Sequence, residues 1–318
     1  MTFRWGISGT GRIAGDFARD LANVDDASLV AVGSRSIEGA RRFAAERSAP
    51  RAHGSVEELA ADPEVDIVYV AGIHPVHHEQ AIAFMHAGKH VLVEKPLAMN
   101  AAETNGMIEV SRMTGRFLME AMWTRFNPLH VELKRRLDAG EFGRIMSVES
   151  DFSFAAPRDP SHRLFDPAKG GGALLDVGIY PITLAWWWLG RPDNVAASGT
   201  IGPTGVDEEV SMHMEWADGS VADLTCGSTR DGARTSTVAC ESATLHIPSP
   251  AHSSPVAEIR TTDGVETVRC APPGLHHQVA EVHRCVSAGL TESPRMSHAD
   301  SAGIAALMDD VLRTVHAR

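Results

Sequence analysis

"GISGTGRIAGDFARDLA", residues 6–22, spaces three small residues as Gly9-x-Gly11-x-x-Ala14 directly after a short apolar run. The spacing belongs either to an ordinary glycine turn or to the cradle of a dinucleotide. Its neighbours favour the second. "RWGIS" (4–8) has the pattern of a strand, and helical spacing predicts a helix from Arg12 to about Val24. In that setting the first glycine permits a tight turn and the second lets the backbone approach a diphosphate. The small third residue lets helix pack on strand. The diphosphate then meets the N–H groups at the positive end of the helix. Gly9, Gly11, Arg12 and Ile13 are therefore candidate cofactor contacts.

Outward from that turn, strands and helices alternate through the first third of the chain. Strand patterns are predicted at 28–36, 65–72, 90–96 and 116–122, and helices at 37–48, 78–88 and 101–115. "VDIVYVAG" (65–72) does not alternate apolar with polar, as expected of a strand buried on both faces. Such strands, separated by helices of about ten or more residues, call for a parallel, doubly wound sheet. After about residue 123 the pattern changes. A helix at 127–140 leads into the alternating "RIMSVESDFSF" (144–154), and a glycine-rich stretch opens a helix over 170–189. Strands follow near 195–201, 208–216, 220–227, 235–240, 243–247, 256–261 and 264–269, with "ADGS" and "TDG" as hairpin punctuation. Helices at about 275–289 and 298–316 close the chain. The fold class is α/β: a Rossmann dinucleotide-binding domain over 1–122, then an α+β domain over 123–318 with a large, mostly antiparallel open sheet.

Which dinucleotide is bound depends on the end of the second strand. An acidic residue there would hydrogen-bond the ribose 2′-hydroxyl of NAD. This chain has Gly33-Ser34-Arg35-Ser36 instead. A hydroxyl and a guanidinium bind a 2′-phosphate through charge-assisted hydrogen bonds, so Ser34 and Arg35 favour NADP, with NAD possible. "VLVEKPLA" (91–98) sets Glu94-Lys95-Pro96 at the C-terminal edge of a strand, where open α/β sheets bind ligands. A lysine there can polarise a substrate hydroxyl or lower a neighbour's pKa.

Composition excludes several classes. The 318 residues carry a formal net charge of −12 and no long basic run, so nucleic acid is not an expected partner. No apolar run reaches the roughly 18 residues of a membrane span, and "MTFRWGIS" leaves no room for a signal peptide's apolar core. Cys226, Cys240, Cys270 and Cys285 lie far apart with no CxxC pair, which suggests buried thiols and a reducing cytoplasm.

Gly9–Ala14, Glu94-Lys95-Pro96 and "GGGALLDVGIYP" (170–181) together resemble the Gfo/Idh/MocA oxidoreductase family, in order and spacing over nearly the whole chain. "GIHPVHHEQA", "FLMEAMWTRFNP" and "GGGALLDVGIYPI" are most similar to the branch containing dimeric dihydrodiol (D-xylose) dehydrogenases and glucose–fructose oxidoreductases. The resemblance implies that Lys95, Asp176 and the residue at 180 converge on the nicotinamide. Many family members have histidine at that last place; this chain has Tyr180, as that branch does. A free phenol titrates near pH 10, so Tyr180 needs a nearby cation, and Lys95 is the candidate. Tyr180 would exchange a proton with the reacting oxygen, Lys95 would stabilise the alkoxide, and Asp176 would orient the substrate or Lys95.

Trp123, Arg125, Phe154 and Arg163 are candidate substrate contacts, with Phe165 beside Phe154 as an apolar wall; core packing is the competing fate of the aromatic residues. "HPVHH" (74–78) invites a metal, but no further ligand stands at convincing spacing. The resemblance puts His74, Pro75 and His77 in a loop beside the cofactor, with Glu94 and Lys95. No metal is expected.

The expected activity is an NADP-dependent dehydrogenase or reductase acting on a secondary alcohol or ketone of a sugar, polyol or cyclic diol. A sugar ketoreductase is the nearest alternative, and a non-catalytic NADP sensor the alternative of another class. Glucose–fructose oxidoreductases carry an export signal and an N-terminal arm, neither of which is seen here. The family also implies a homodimer or higher oligomer through the C-terminal sheet.

Overall fold

The apolar runs of the first third assemble as six parallel strands: β1 (Phe3–Ser8), β2 (Ala27–Gly33), β3 (Arg51–His53), β4 (Ile67–Val70), β5 (His90–Glu94) and β6 (Leu118–Ala121). Their order is β3-β2-β1-β4-β5-β6. A computed structural model describes residues 2–317 of the chain. Every residue of β4 and β6 is buried, which is why neither strand alternates in sequence. Val68, Val70, Val91, Val93 and Leu118 pack with Phe84, Met85, Met107 and Ile108 from the flanking helices. Each such side chain contributes about 1.5–3 kcal/mol on burial.

The strands are joined by α1 (Arg12–Leu21), α2 (Ile37–Glu46), α3 (Val56–Ala60), α4 (His77–His86) and α5 (Ala101–Thr114). Their caps are legible: Ser36 accepts from Gly39 N, Ser55 from Glu58 N and Asn100 from Glu103 N, while Gly115 ends α5 at φ +64°. Because β1 lies between β2 and β4, the chain runs to opposite sides of the sheet from its centre. The C-terminal ends of β1 and β4 thus mark the crevice where open α/β sheets take their ligands.

The second sheet has eight strands: β7 (Ile145–Ser153), β8 (Asn194–Ile201), β9 (Asp207–Glu215), β10 (Val221–Gly227), β11 (Ser236–Cys240), β12 (Thr244–Ile247), β13 (Val256–Thr261) and β14 (Gly264–Arg269). Their order is β14-β13-β12-β11-β7-β10-β9-β8. All neighbours are antiparallel except β7 and β10, which run parallel. In β9, Val210, Met212 and Met214 point inward, and Ser211, His213 and Glu215 outward. The helices of this half are α6 (Pro128–Asp138) and α7 (Ile179–Leu189); α8 (His276–Ser287) and α9 (His298–His316) follow at the end of the chain.

Three features differ from the sequence reading. β3 and α3 lie between the predicted helix at 37–48 and strand at 65–72, where no element was predicted; "RAH" and "VEELA" are too short for their periodicity to register. The helix expected over 170–189 is a π turn, Leu174–Gly178, followed by α7. The chain also divides differently from 1–122 and 123–318. One compact unit runs to Trp123 and takes back Gly274–Ala302; the other comprises Thr124–Pro273 and the chain from Gly303 on. α8 thus belongs to the first unit, anchored by Trp5 Nε1 donating to His283 Nε2 at 2.9 Å and Leu275 N to Asp20 Oδ2 at 2.6 Å.

Candidate active site

In the first unit the glycine turn has the geometry a dinucleotide needs. Gly9 sits at φ +118°, and a Cβ there would stand 2.8 Å from Ala71 O, so no other residue fits without displacing the loop after β4. A Cβ on Gly11 would meet nothing within 4 Å. Gly11 is also the N-cap of α1, and unlike the caps of α2, α3 and α5 it supplies no side-chain acceptor; no acidic residue occupies the first turn. The open space and the positive helix end therefore fit a diphosphate. Arg12 is exposed and Ile13 half-buried beside it. β2 ends at Gly33, with Ser34 half-buried and Arg35 exposed at the strand's end in place of an acidic residue.

The Glu94-Lys95-Pro96 segment is fixed from several sides. Tyr69 Oη donates to Glu94 Oε1. Lys95 N donates to Glu94 Oε2 at 3.2 Å, and Leu97 N to Glu120 Oε1 at 3.0 Å. The other oxygen of Glu120 accepts from Ser301 Oγ at 2.7 Å. The Lys95–Pro96 peptide is cis. His77 lies with Nδ1 2.9 Å from Pro96 O and Nε2 3.2 Å from Gly72 O. Burial pushes its imidazole below the ordinary histidine range, opposed by the two carbonyls that face its nitrogens. His77 thus ties the loop after β4 to the loop after β5, and a ring engaged by two carbonyls is not presented to a metal. His74, in the short turn His74–Val76 that contains Pro75, is buried and packs edge-on to His77 at 5.9 Å.

In the second unit the functional candidates gather around the π turn. π turns recur at functional sites because the extra residue re-aims side chains. Asp176 lies within it, 5% exposed, and Tyr180 follows in the first turn of α7. Arg163 grips Asp176 with both terminal nitrogens, Nη1 to Oδ1 at 2.9 Å and Nη2 to Oδ2 at 3.0 Å. The buried Tyr180 ring is 5.2 Å from Phe152 and 5.0 Å from His252, and those two rings stack at 4.4 Å. Phe154 packs beside Phe152 and on the small cluster of Ala156, Leu164 and Phe165. Arg125 is buried, with its guanidinium 5.2 Å over the Trp187 ring. Trp123, which belongs to the first unit, is half-buried.

The segment carrying His252 is held by one face of "TRFNPLH". Thr124 Oγ1 donates to His252 O at 2.9 Å, Asn127 Nδ2 to Ser254 O at 3.0 Å, and His130 Nε2 pairs with Ala251 O at 2.8 Å. Asp207, the first residue of β9, accepts from Leu174 N at 2.7 Å. Burial raises its carboxyl above the usual carboxylate range, opposed by the backbone hydrogen bonds it receives.

Sequence reasoning overlooked Tyr69, Glu120, Phe152, Asp207 and His252. Glu120 and Tyr69 carried a signal, since each is a polar group inside an apolar strand run, "FLMEAM" and "DIVYVAG". His252 and Asp207 are placed by pairing between distant segments, and no local pattern marks them.

The chain matches known proteins along its length. Residues 3–122 match the oxidoreductase family with an NAD-binding Rossmann fold, and 130–246 the GFO/IDH/MocA C-terminal domain. It is 40% identical to a trans-1,2-dihydrobenzene-1,2-diol dehydrogenase of Danio rerio, over 99% of this chain and 97% of that one. The Xenopus laevis enzyme of the same name is 36% identical over 98% of both. Among solved structures it is similar to a 3-ketoreductase from Actinomadura kijaniata in complex with NADP and TDP-benzene. That likeness has a TM-score of 0.89 and 26% identity, over 99% of this chain and 98% of that one. The chain belongs to the Gfo/Idh/MocA oxidoreductase family.

Proposed function

We propose that this chain is an NADP-preferring dehydrogenase or reductase acting on a secondary alcohol or the matching ketone of a sugar, polyol or cyclic diol. Its dihydrodiol dehydrogenase relatives and the NADP-bound 3-ketoreductase support that class. The observation that carries the chemistry is the bidentate Arg163–Asp176 pair with Tyr180 in the turn that follows. Such a pair fixes a carboxylate in one orientation, suited to aligning a substrate hydroxyl. The ring contacts with Phe152 and His252 set the plane of the phenol.

In this reading the dinucleotide, when bound, supplies hydride chemistry at nicotinamide C4. Gly9, Gly11, Arg12 and Ile13 take its diphosphate, Ser34 and Arg35 its 2′-phosphate, and the loop of His74, Pro75 and His77 with Glu94 and Lys95 the rest. Tyr180 exchanges the proton of the reacting oxygen. Lys95 is assigned the cation that stabilises negative charge on that oxygen. Trp123, Arg125 and Phe154 shape the substrate's surroundings.

We extend the proposal to self-association through the outward face of the eight-stranded sheet, where His213, Asp223, Glu149, Thr237 and His246 form one register row across five strands. Light scattering is the test. Among the described residues no helix is long and apolar enough to cross a membrane, and the four unbridged thiols suit a cytoplasmic setting.

Lys95→Met and Tyr180→Phe, each assayed for NADP binding and for turnover of a sugar and cyclic-diol panel, test the assignment. Turnover lost by about 100-fold or more with NADP binding intact supports it. A wild type that binds NADP and is inert on the whole panel favours a sensor instead.

A further inference from the structure

The π turn Leu174–Gly178 begins without a side-chain cap of its own, since Ala173 at its N-cap has none to give. The N–H groups at such a start require acceptors when buried. The acceptor comes from 33 residues away: Asp207 Oδ2 takes Leu174 N at 2.7 Å, from a residue only 3% exposed. The same carboxylate occupies the space that a side chain at Gly172 would need. A Cβ on Gly172 would stand 2.3 Å from Asp207 Oδ1, and Gly172 itself holds φ +125°. At its far end the turn rests on β10, where a Cβ on Gly178 would come 2.7 Å from Cys226 Sγ. The segment is therefore pinned at its start by one carboxylate and seated at its end on the sheet.

We propose that Asp207 is a positioning residue for the reaction, setting where Asp176 and Tyr180 stand by capping the turn that carries them. The inference rests on the reading that those two residues serve the substrate. Asp176 lies two residues beyond the capped N–H and Tyr180 six, on one continuous run of helical backbone. A shift at Leu174 is transmitted to both, and misplacement by about 1 Å costs about 100-fold in rate. The cap acts on the step after binding, so its loss falls on kcat and leaves the dinucleotide's own contacts, all in the first unit, unchanged.

The test compares Asp207→Ala, Asp207→Asn, Gly172→Ala and the Asp207→Ala/Gly172→Ala double variant in the full chain. Each is measured for kcat and KM on a substrate the wild type turns over, NADP dissociation constant and melting temperature. Asp207→Ala and Gly172→Ala, the second by forcing a methyl group against the carboxylate, each lower kcat about 10- to 100-fold below their melting temperatures, with NADP affinity kept. Asp207→Asn, which retains an oxygen acceptor for Leu174 N, recovers kcat to near the wild-type value. The double variant is no slower than the slower single one, because both remove the same restraint. Wild-type kcat in Asp207→Ala, or an Asp207→Asn as slow as Asp207→Ala, overturns the proposal. If Asp207→Ala does not fold, Asp207→Leu, which keeps the bulk and removes the acceptor for Leu174 N, decides by the same criterion. Tyr180→Phe in the same assay separates the two ideas. If it turns over at the wild-type rate, the role given to Tyr180 is lost. If it is inactive while Asp207→Ala and Gly172→Ala are fully active, only the positioning role is lost.

Discussion

Arg163 and Asp176 meet as two parallel hydrogen bonds, 2.9 and 3.0 Å long, with the arginine side chain 45% exposed and the aspartate only 7%. The asymmetry decides what each variant does. Removing the arginine leaves a buried carboxylate without the guanidinium that orients it. Lysine offers a point charge and not a planar fork. Arg163→Met is therefore expected to lower kcat/KM by about 10- to 100-fold, the range for a lost hydrogen bond to a charged group. Arg163→Lys recovers little of it. Steady-state kinetics on the substrate found in the panel checks both, and full recovery by lysine would reduce the pair to simple charge balance.

Under the proposed function, Arg35 is expected to govern the choice of dinucleotide. It is exposed at the start of α2, next to Ser34 and the capping Ser36. A charge-assisted hydrogen bond to a 2′-phosphate is worth about 1.5–3 kcal/mol, so Arg35→Ala weakens NADP binding by about 10- to 100-fold and leaves NAD binding unchanged. Fluorescence titration at low and high salt measures both, and the NADP advantage shrinks with salt in the wild type only. Equal loss for NADP and NAD would remove Arg35 from the 2′-phosphate site.

The parallel sheet was legible because its central strands are buried on both faces and separated by helices; Val68, Val70, Val91 and Val93 announce it. The alternation of Val210, Met212 and Met214 with Ser211 and His213 did the same for the second sheet. The candidates Lys95, Asp176 and Tyr180 stand out in the sequence because their motifs are local. What stayed hidden is what distant pairing supplies. Nothing near Asp207 predicts that it caps Leu174, and nothing in "GLHHQVAEVHR" (274–284) predicts that α8 returns to the first unit through His283 and Trp5. The π turn was equally unreadable, because its sequence obeys ordinary helical spacing and its extra residue is accommodated by Gly172 and Gly178 against partners on β9 and β10.

His130 makes stability depend on acid. Its ring is buried, Nε2 pairs with Ala251 O, and burial pushes its pKa down to about 4 from the ordinary 6.5. Below pH 6.5 the unfolded chain gains a proton that the folded chain refuses until about pH 4. The unfolded state thus binds more protons in that window, and stability falls as pH falls through it. At about 1.4 kcal/mol per pH unit, the loss approaches about 3 kcal/mol by pH 4. His77, His90, His283 and His298 are lowered in the same direction by burial and add to the slope. His130→Gln keeps a donor for Ala251 O and has no proton to gain. It should be less stable than wild type near neutrality, because the amide fits the imidazole's place poorly, yet lose less stability on acidification. Urea unfolding at about pH 7, 5.5 and 4.5 resolves the two effects. If the variant's slope against pH equals that of the wild type, His130 is not the group that titrates.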